Sequence, residues 1–176
     1  MEKTVYLVRH CKAAGEEPDT GLTEEGKEQA KELMAFFKGR NIKHIISSPF
    51  TRAIESIQPT ADSLGMQIEI DERLAEHKLI SKDLEDWIER LKESIEDRDL
   101  KMVGGESSRE VASRGMKVLE AANDGTVLST HRNTMGLLLM KLDGMQALKE
   151  WVGFSHPDVY EVKVINDTYH VKRIWD

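Results

Sequence analysis

Apolar positions along the chain fall into two alternating spacings. Val5, Tyr6, Leu7 and Val8 form an unbroken run of β-branched, aromatic and aliphatic residues, the pattern of a strand buried on both faces. The run stops at Arg9-His10. Beyond a loop marked by Gly15, Pro18 and Gly21, residues Ala30, Leu33, Met34 and Phe37 recur at helical spacing, with Thr23 as N-cap and Gly39 as terminator. Gly26 stands where a capping box would place Glu or Gln, so that signature is incomplete. Ile42 to Ile46 reads as a second strand running into Ser47, Ser48 and Pro49. A helix from Thr51 to Leu64 follows, with Ala53, Ile57, Ala61 and Leu64 on one face.

Met66 to Asp71 alternates as a third strand, and residues 73–80 leave it as a loop. Residues 82–101 are charged and helical in pattern, with Leu84, Trp87, Ile88, Leu91 and Ile95 as an apolar stripe. After the break at Gly104-Gly105 comes another helix. Residues 125–142 give a fourth strand, a polar turn and an apolar helix, and residues 159–175 give two strands joined at Asn166-Asp167. This alternation predicts a three-layer α/β/α sandwich over residues 1–176 as a single domain, with a mostly parallel central sheet and a C-terminal hairpin at its edge.

The polar clusters sit where strands hand over to helices: Arg9-His10, Ser48 to Arg52, and Thr130 to Asn133. Ligands of open α/β sheets bind at the carboxyl ends of strands, so basic residues there point to an anion. Arg52 lies in a helical first turn, beside free N–H groups and the positive end of the dipole.

Composition narrows the partners. At 176 residues, 39% hydrophobic and 32% charged, the chain reads as globular, and no apolar run approaches the roughly 20 residues that span a bilayer. A start without a signal-peptide pattern places the protein in the cytoplasm. A formal net charge of -7 argues against nucleic acid as a partner, and no membrane partner is expected. Cys11, the single cysteine, supports neither a disulfide scaffold nor a cysteine metal cluster.

Six segments carry a resemblance. "LVRHCKA", "LTEEGKEQA", "ISSPFTRAIES", "RLAEHKL", "GGESSREVASR" and "VLSTHRNTM" resemble, in order, the motifs of the histidine phosphatase superfamily, also called the phosphoglycerate mutase-like family. The resemblance implies a phosphomonoesterase that works through a covalent phosphohistidine on a small phosphorylated metabolite, with neither metal nor cofactor. It implies His10 as nucleophile, Arg9, Arg52 and His131 as phosphate donors, and Glu76 as the proton donor. Glu72 and Glu106 are rival acids, and Glu106-Ser107 also reads as a plain helix start. Residues 82–101 would cap or roof the pocket, making Trp87 a candidate for substrate contact.

Departures from the pattern bear on the pocket. Cys11 and Arg132 stand where the family usually has glycine, and Ala13 and Ala14 lie where many members carry an Asn. Cys11 is either a pocket residue, a packed core residue or, as a sharper alternative, a thiolate nucleophile. Arg132 either adds a cation favouring a substrate with a second acidic group or faces solvent, and Asn133 would position the turn. His44, His77, His156 and His170 read as surface or structural. Two rival functions stay open: a phosphoglycerate mutase-type transferase, and a weakly catalytic phospho-ligand-binding protein.

Overall fold

The computed structural model describes residues 2–80, 84–144 and 153–176. Its sheet contains β1 (Glu2–Arg9), β2 (His44–Ser47), β3 (Ile68–Ile70), β4 (Thr126–Thr130), β5 (Asp158–Ile165) and β6 (Thr168–Arg173), in the spatial order β3-β2-β4-β1-β5-β6. β3, β2, β4 and β1 pair in parallel, whereas β5 runs antiparallel to both β1 and β6. Helices α1 (Glu24–Phe37) and α2 (Thr51–Leu64) pack on one face. Helices α3 (Leu84–Glu96), α4 (Ser108–Ala121) and α5 (Arg132–Asp143) contribute to the core on the other. The three-layer sandwich with its edge hairpin is the architecture the alternation predicts.

The continuous apolar run of β1 now has its cause. Side chains alternate across a strand, so Val5 and Leu7 enter the core shared with α4 and α5, while Tyr6 and Val8 enter the core shared with α1 and α2. Helix α5 buries Met135, Leu137, Leu138 and Leu139 together, which explains its apolar sequence. The hairpin turn uses Asn166 and Asp167 at φ 49° and 63°, the left-handed pair that a tight two-residue connection needs.

Several boundaries differ from expectation. β2 starts at His44 because the Lys43 N–H is taken by the carbonyl of Gly125, although Ile42 still enters the core. β3 is only Ile68–Ile70: Met66 N–H donates to Ala61 O and closes α2, while the Asp71 side chain accepts from Arg73 N and starts a short 3-10 turn at Glu72–Leu74. The helix expected over 82–101 ends at Glu96, where Asp97 forms a turn by accepting from Asp99 N; residues 82 and 83 and the side chain of Leu84 lie outside the described residues. Of its stripe, Leu91 is buried and Trp87 and Ile95 pack against the core. Ile88 flanks that line and is exposed.

Gly26 breaks the capping box for a steric reason. A Cβ there would collide with the carbonyl oxygen of Lys12, because the first turn of α1 lies against the loop after β1. Thr23 still caps, its side chain accepting from Gly26 N at 3.0 Å. That close approach fixes the loop following His10.

Candidate active site

β1, β2 and β4 end level. Arg9 pairs in register with Thr130, and Ser47 with Ser129. The next residues along each strand are therefore neighbours: His10 N donates to Thr130 O, Ser48 N donates to Ser129 O, and His131 follows Thr130. Arg52 is delivered by the first turn of α2, directly beyond Ser48. A cavity of about 950 Å³ opens at this edge.

His10 is 8% exposed, and its ring is fixed from both sides. Nδ1 lies 2.7 Å from the carbonyl oxygen of Cys11, which can only accept, so Nδ1 carries the proton. Arg52 Nε donates to Nε2 at 3.3 Å, which requires a lone pair there. Burial lowers the imidazole pKa to about 3 against the pull of the Cys11 carbonyl, with Arg52, Arg9 and His156 adding to the lowering. His10 is thus a neutral imidazole with its basic nitrogen beside a guanidinium.

The surrounding donors are braced by backbone. Arg9 Nη1 donates to the carbonyls of Phe154 and Ser155 at 2.8 and 3.3 Å, and Arg52 Nη1 to those of Glu16 and Glu17 at 3.1 and 3.3 Å. Burial, then the nearby charge of Arg132, brings Arg9 down to about 10, still a cation at neutral pH. His131 is fully buried and is not among the residues that line the cavity, its ring 5.2 Å from that of His10 and its Nε2 2.8 Å from Ser48 Oγ. Burial, followed by coupling to the adjacent His10 ring and the charge of Arg52, holds it well below the ordinary imidazole value. Arg9 Nε and His131 Nδ1 are buried without a hydrogen-bond partner. Orphaned polar atoms of this kind are costly unless a ligand meets them.

Glu76 lines the same cavity and is anchored at the start of α5. Its carboxyl accepts from Asn133 N at 3.1 Å, Thr134 N at 2.9 Å, Thr134 Oγ1 at 3.1 Å and His77 N at 2.8 Å. Asn133 therefore acts on the site through its backbone, alongside its place on the cavity wall. Glu106 reaches the lining but is engaged: Arg114 Nε and Nη2 donate to its two oxygens at 2.9 and 3.0 Å. Burial opposes its ionisation, yet the Arg114 guanidinium keeps its carboxyl below the usual range. Ser107, next to it, is the N-cap of α4 in a full capping box with Glu110.

Trp87 of α3 and Arg132 of α5 meet on one wall, the guanidinium carbon 5.9 Å from the ring centroid. Arg132 thus belongs to the cavity. Cys11 does not, which corrects its assignment to the pocket. The thiol is fully buried in the core under α1 and α2, where burial pushes it up to about 12 despite the Ser56 hydroxyl. A thiol in that state is no nucleophile.

Two histidines set aside in the sequence reappear here. His77 is buried, with Nε2 2.9 Å from the Glu106 carbonyl, and borders the cavity. His156 stands on the rim, its ring 6.1 Å from that of His10, and burial followed by the charges of Arg9 and Arg132 takes it down to about 4. No local pattern signals it; the antiparallel register that sets Arg9 opposite Asp158 brings it in. Arg114 was likewise missed. Besides Glu106 it donates to the carbonyls of Arg73, Ala75 and Glu76, tying down the loop that carries Glu76. Among the described residues no group of three or more His, Cys, Asp or Glu is placed to hold a metal ion.

Level parallel strands beneath a pocket of buried guanidinium and imidazole groups define an α/β protein with a cationic site at its strand ends. Residues 5–176 match the family model of the histidine phosphatase superfamily (branch 1), and the chain belongs to that superfamily. The "Probable phosphoglycerate mutase GpmB" of Erwinia tasmaniensis is 27% identical over 168 residues, covering 83% of this chain and 77% of the relative. The protein of the same name from Cronobacter sakazakii is 28% identical with the same coverage, 83% and 77%. Among solved structures, a mycobacterial glucosyl-3-phosphoglycerate phosphatase superposes with a TM-score of 0.75 at 19% identity, over 99% of each chain. A putative alpha-ribazole-5'-P phosphatase from Escherichia coli gives 0.77 at 17% identity, over 99% of this chain and 96% of that one. These structures share the fold. Among the described residues, no helix is long and apolar enough to cross a membrane.

Proposed function

We propose that the protein is a cytoplasmic, metal-independent phosphomonoesterase that acts through a phosphohistidine on His10 and takes a small phosphorylated metabolite. The observation that carries this reading is the state of His10: neutral, with Nδ1–H donated to a backbone carbonyl and the Nε2 lone pair held at the cavity beside Arg52. A histidine nucleophile needs that tautomer.

In the first step Nε2 bonds to phosphorus as the ester P–O bond breaks, and the leaving alkoxide takes the proton of the Glu76 carboxyl. In the second, water attacks phosphorus and the N–P bond breaks. The Glu76 carboxylate accepts the water proton, and phosphate leaves with His10 neutral again. Arg9, Arg52 and His131 supply the donors for charge on the equatorial oxygens, and the backbone carbonyls that hold Arg9 and Arg52, with the Ser48 hydroxyl against His131, mean that little reorganisation accompanies the reaction.

The test is hydrolysis of phosphomonoesters in excess chelator, comparing the wild type with His10→Ala. Chelator-resistant turnover that drops about a thousand-fold or more in the variant is expected; equal rates in the two proteins would refute the reading. The mutase reading is favoured by the printed names of the curated relatives. Against it stands the short segment between Glu76 and Gly104, whose described residues hold the single α-helix α3. Isomerisation of a phosphoglycerate faster than its hydrolysis would decide for the mutase.

A further inference from the structure

Arg9 is held in place by the carbonyls of Phe154 and Ser155, so whatever fixes the turn over 154–157 also fixes this phosphate donor. The turn is fixed from the far edge of the sheet. Arg9 pairs with Asp158 and Tyr160 with Arg173; paired residues, and residues two apart on one strand, share a face, which puts all four on the same side. The Asp158 carboxylate is fully buried there. Its Oδ1 accepts from Arg173 Nε at 2.8 Å and Val159 N at 2.9 Å, and its Oδ2 from Ser155 N at 3.1 Å. Arg173 Nη2 also donates to Ser155 Oγ at 3.3 Å, and that hydroxyl donates to Pro157 O at 2.6 Å. One guanidinium at the end of β6 thus grips both the carboxylate and the serine of the turn, while the Phe154 ring packs 5.6 Å from that of Tyr160.

We propose that Arg173 and Asp158 are positioning residues for Arg9, a relay from the edge strand β6 through the 154–157 turn that sets the affinity of the site for a phosphoryl group. The proposal rests on the reading of Arg9 as a phosphate donor. Neither Arg173 nor Asp158 lines the cavity, so both act through the turn. Charge adds a second effect, because Asp158 also acts on Arg9 and favours its cation. With Arg173 answering the carboxylate, Arg9 is left to the cavity. Without it, a buried carboxylate lacking its partner would draw the Arg9 guanidinium from the same face of the sheet.

Phosphate affinity tests this independently of turnover. Calorimetric Kd values for inorganic phosphate, thermal melts and kcat/KM for para-nitrophenyl phosphate are measured for wild type, Arg173→Met, Arg173→Lys, Arg9→Met and the double variant carrying both Met substitutions. Arg173→Met is expected to weaken phosphate binding roughly ten-fold, the scale of one charge-assisted hydrogen bond. Arg173→Lys, which keeps a cation against Asp158, should recover most of that loss. In the Arg9→Met background the same Arg173→Met change should alter phosphate affinity by less than about two-fold, since the group it positions is gone. A merely structural role would lower the melting temperature and leave phosphate affinity within about two-fold, or would weaken it equally with and without Arg9. Either result overturns the relay and leaves the phosphatase reading standing. Coupling of Arg173 to Arg9 in phosphate binding, with no hydrolysis by the wild type, keeps the relay and overturns the phosphatase reading. A wild type that neither binds phosphate nor hydrolyses the ester overturns both.

Discussion

Burial of His10 does two separate things. It removes the proton from Nε2 at any ordinary pH, and it brings the ring against the one carbonyl, that of Cys11, which fixes the tautomer. The Cys11 side chain takes no part: it faces the other way, into the core. Replacing Cys11 with alanine should leave turnover within about two-fold and cost about 1 kcal/mol in urea denaturation, the loss of one small buried side chain. The native protein should also resist alkylation at this thiol. Inactivation by a thiol reagent at the rate of an exposed cysteine would restore the thiolate alternative. At this scale Arg9, His10, Arg52, Glu76 and His131 were legible because short motifs mark them at strand-to-helix junctions. His156 was not, since it reaches the rim only through the pairing of β5 with β1.

At the scale of elements, the loop after β3 is held from outside. Arg114 on α4 donates to the backbone carbonyls of Arg73, Ala75 and Glu76 and to the Glu106 carboxylate, so one side chain ties α4 to the loop bearing Glu76. Arg114→Met should cost about 2 to 3 kcal/mol, less than a fully buried pair because both partners keep some solvent contact. It should also lower kcat more than it raises KM, since Glu76 loses its position while the phosphate donors stay. A variant with unchanged kcat would show that the loop holds itself. Nothing in the spacing of α4 singles out Arg114, whose carbonyl partners are remote in sequence. The same limit explains the boundaries. Gly26 excludes a capping box because of contact with Lys12, and β3 is short because Met66 closes α2 and the Asp71 side chain starts a 3-10 turn. Helices and strands follow local periodicity, whereas their ends follow partners that periodicity does not contain.

At the scale of the whole molecule, the alternation of strand and helix was enough for the layers and the edge hairpin, because β1 and α5 need cover on every side and only a sandwich provides it. The site adds a cost to that fold. Above the ordinary imidazole value of 6.5, His10 and His131 are neutral whether folded or not, and they contribute nothing to pH dependence. Below it the unfolded chain binds protons that the folded protein refuses, down to about 3 for His10. Stability should therefore fall as pH drops from 6.5 towards 3, and the fall should be shallower in His10→Ala by up to one proton's worth of slope. Thermal melts of both proteins across that range give the comparison, which cancels the carboxylates common to both. Equal slopes would mean that His10 is charged in the folded state.

The central claim is that His10 carries the phosphoryl group. Its most direct test is rapid acid-avoiding quench of the wild type during turnover of a labelled phosphomonoester, followed by measurement of protein-bound label and its stability. The account predicts label that survives alkali, is released by acid, maps to His10 and is absent from His10→Ala. Turnover with no such label, or label mapping elsewhere, would contradict it.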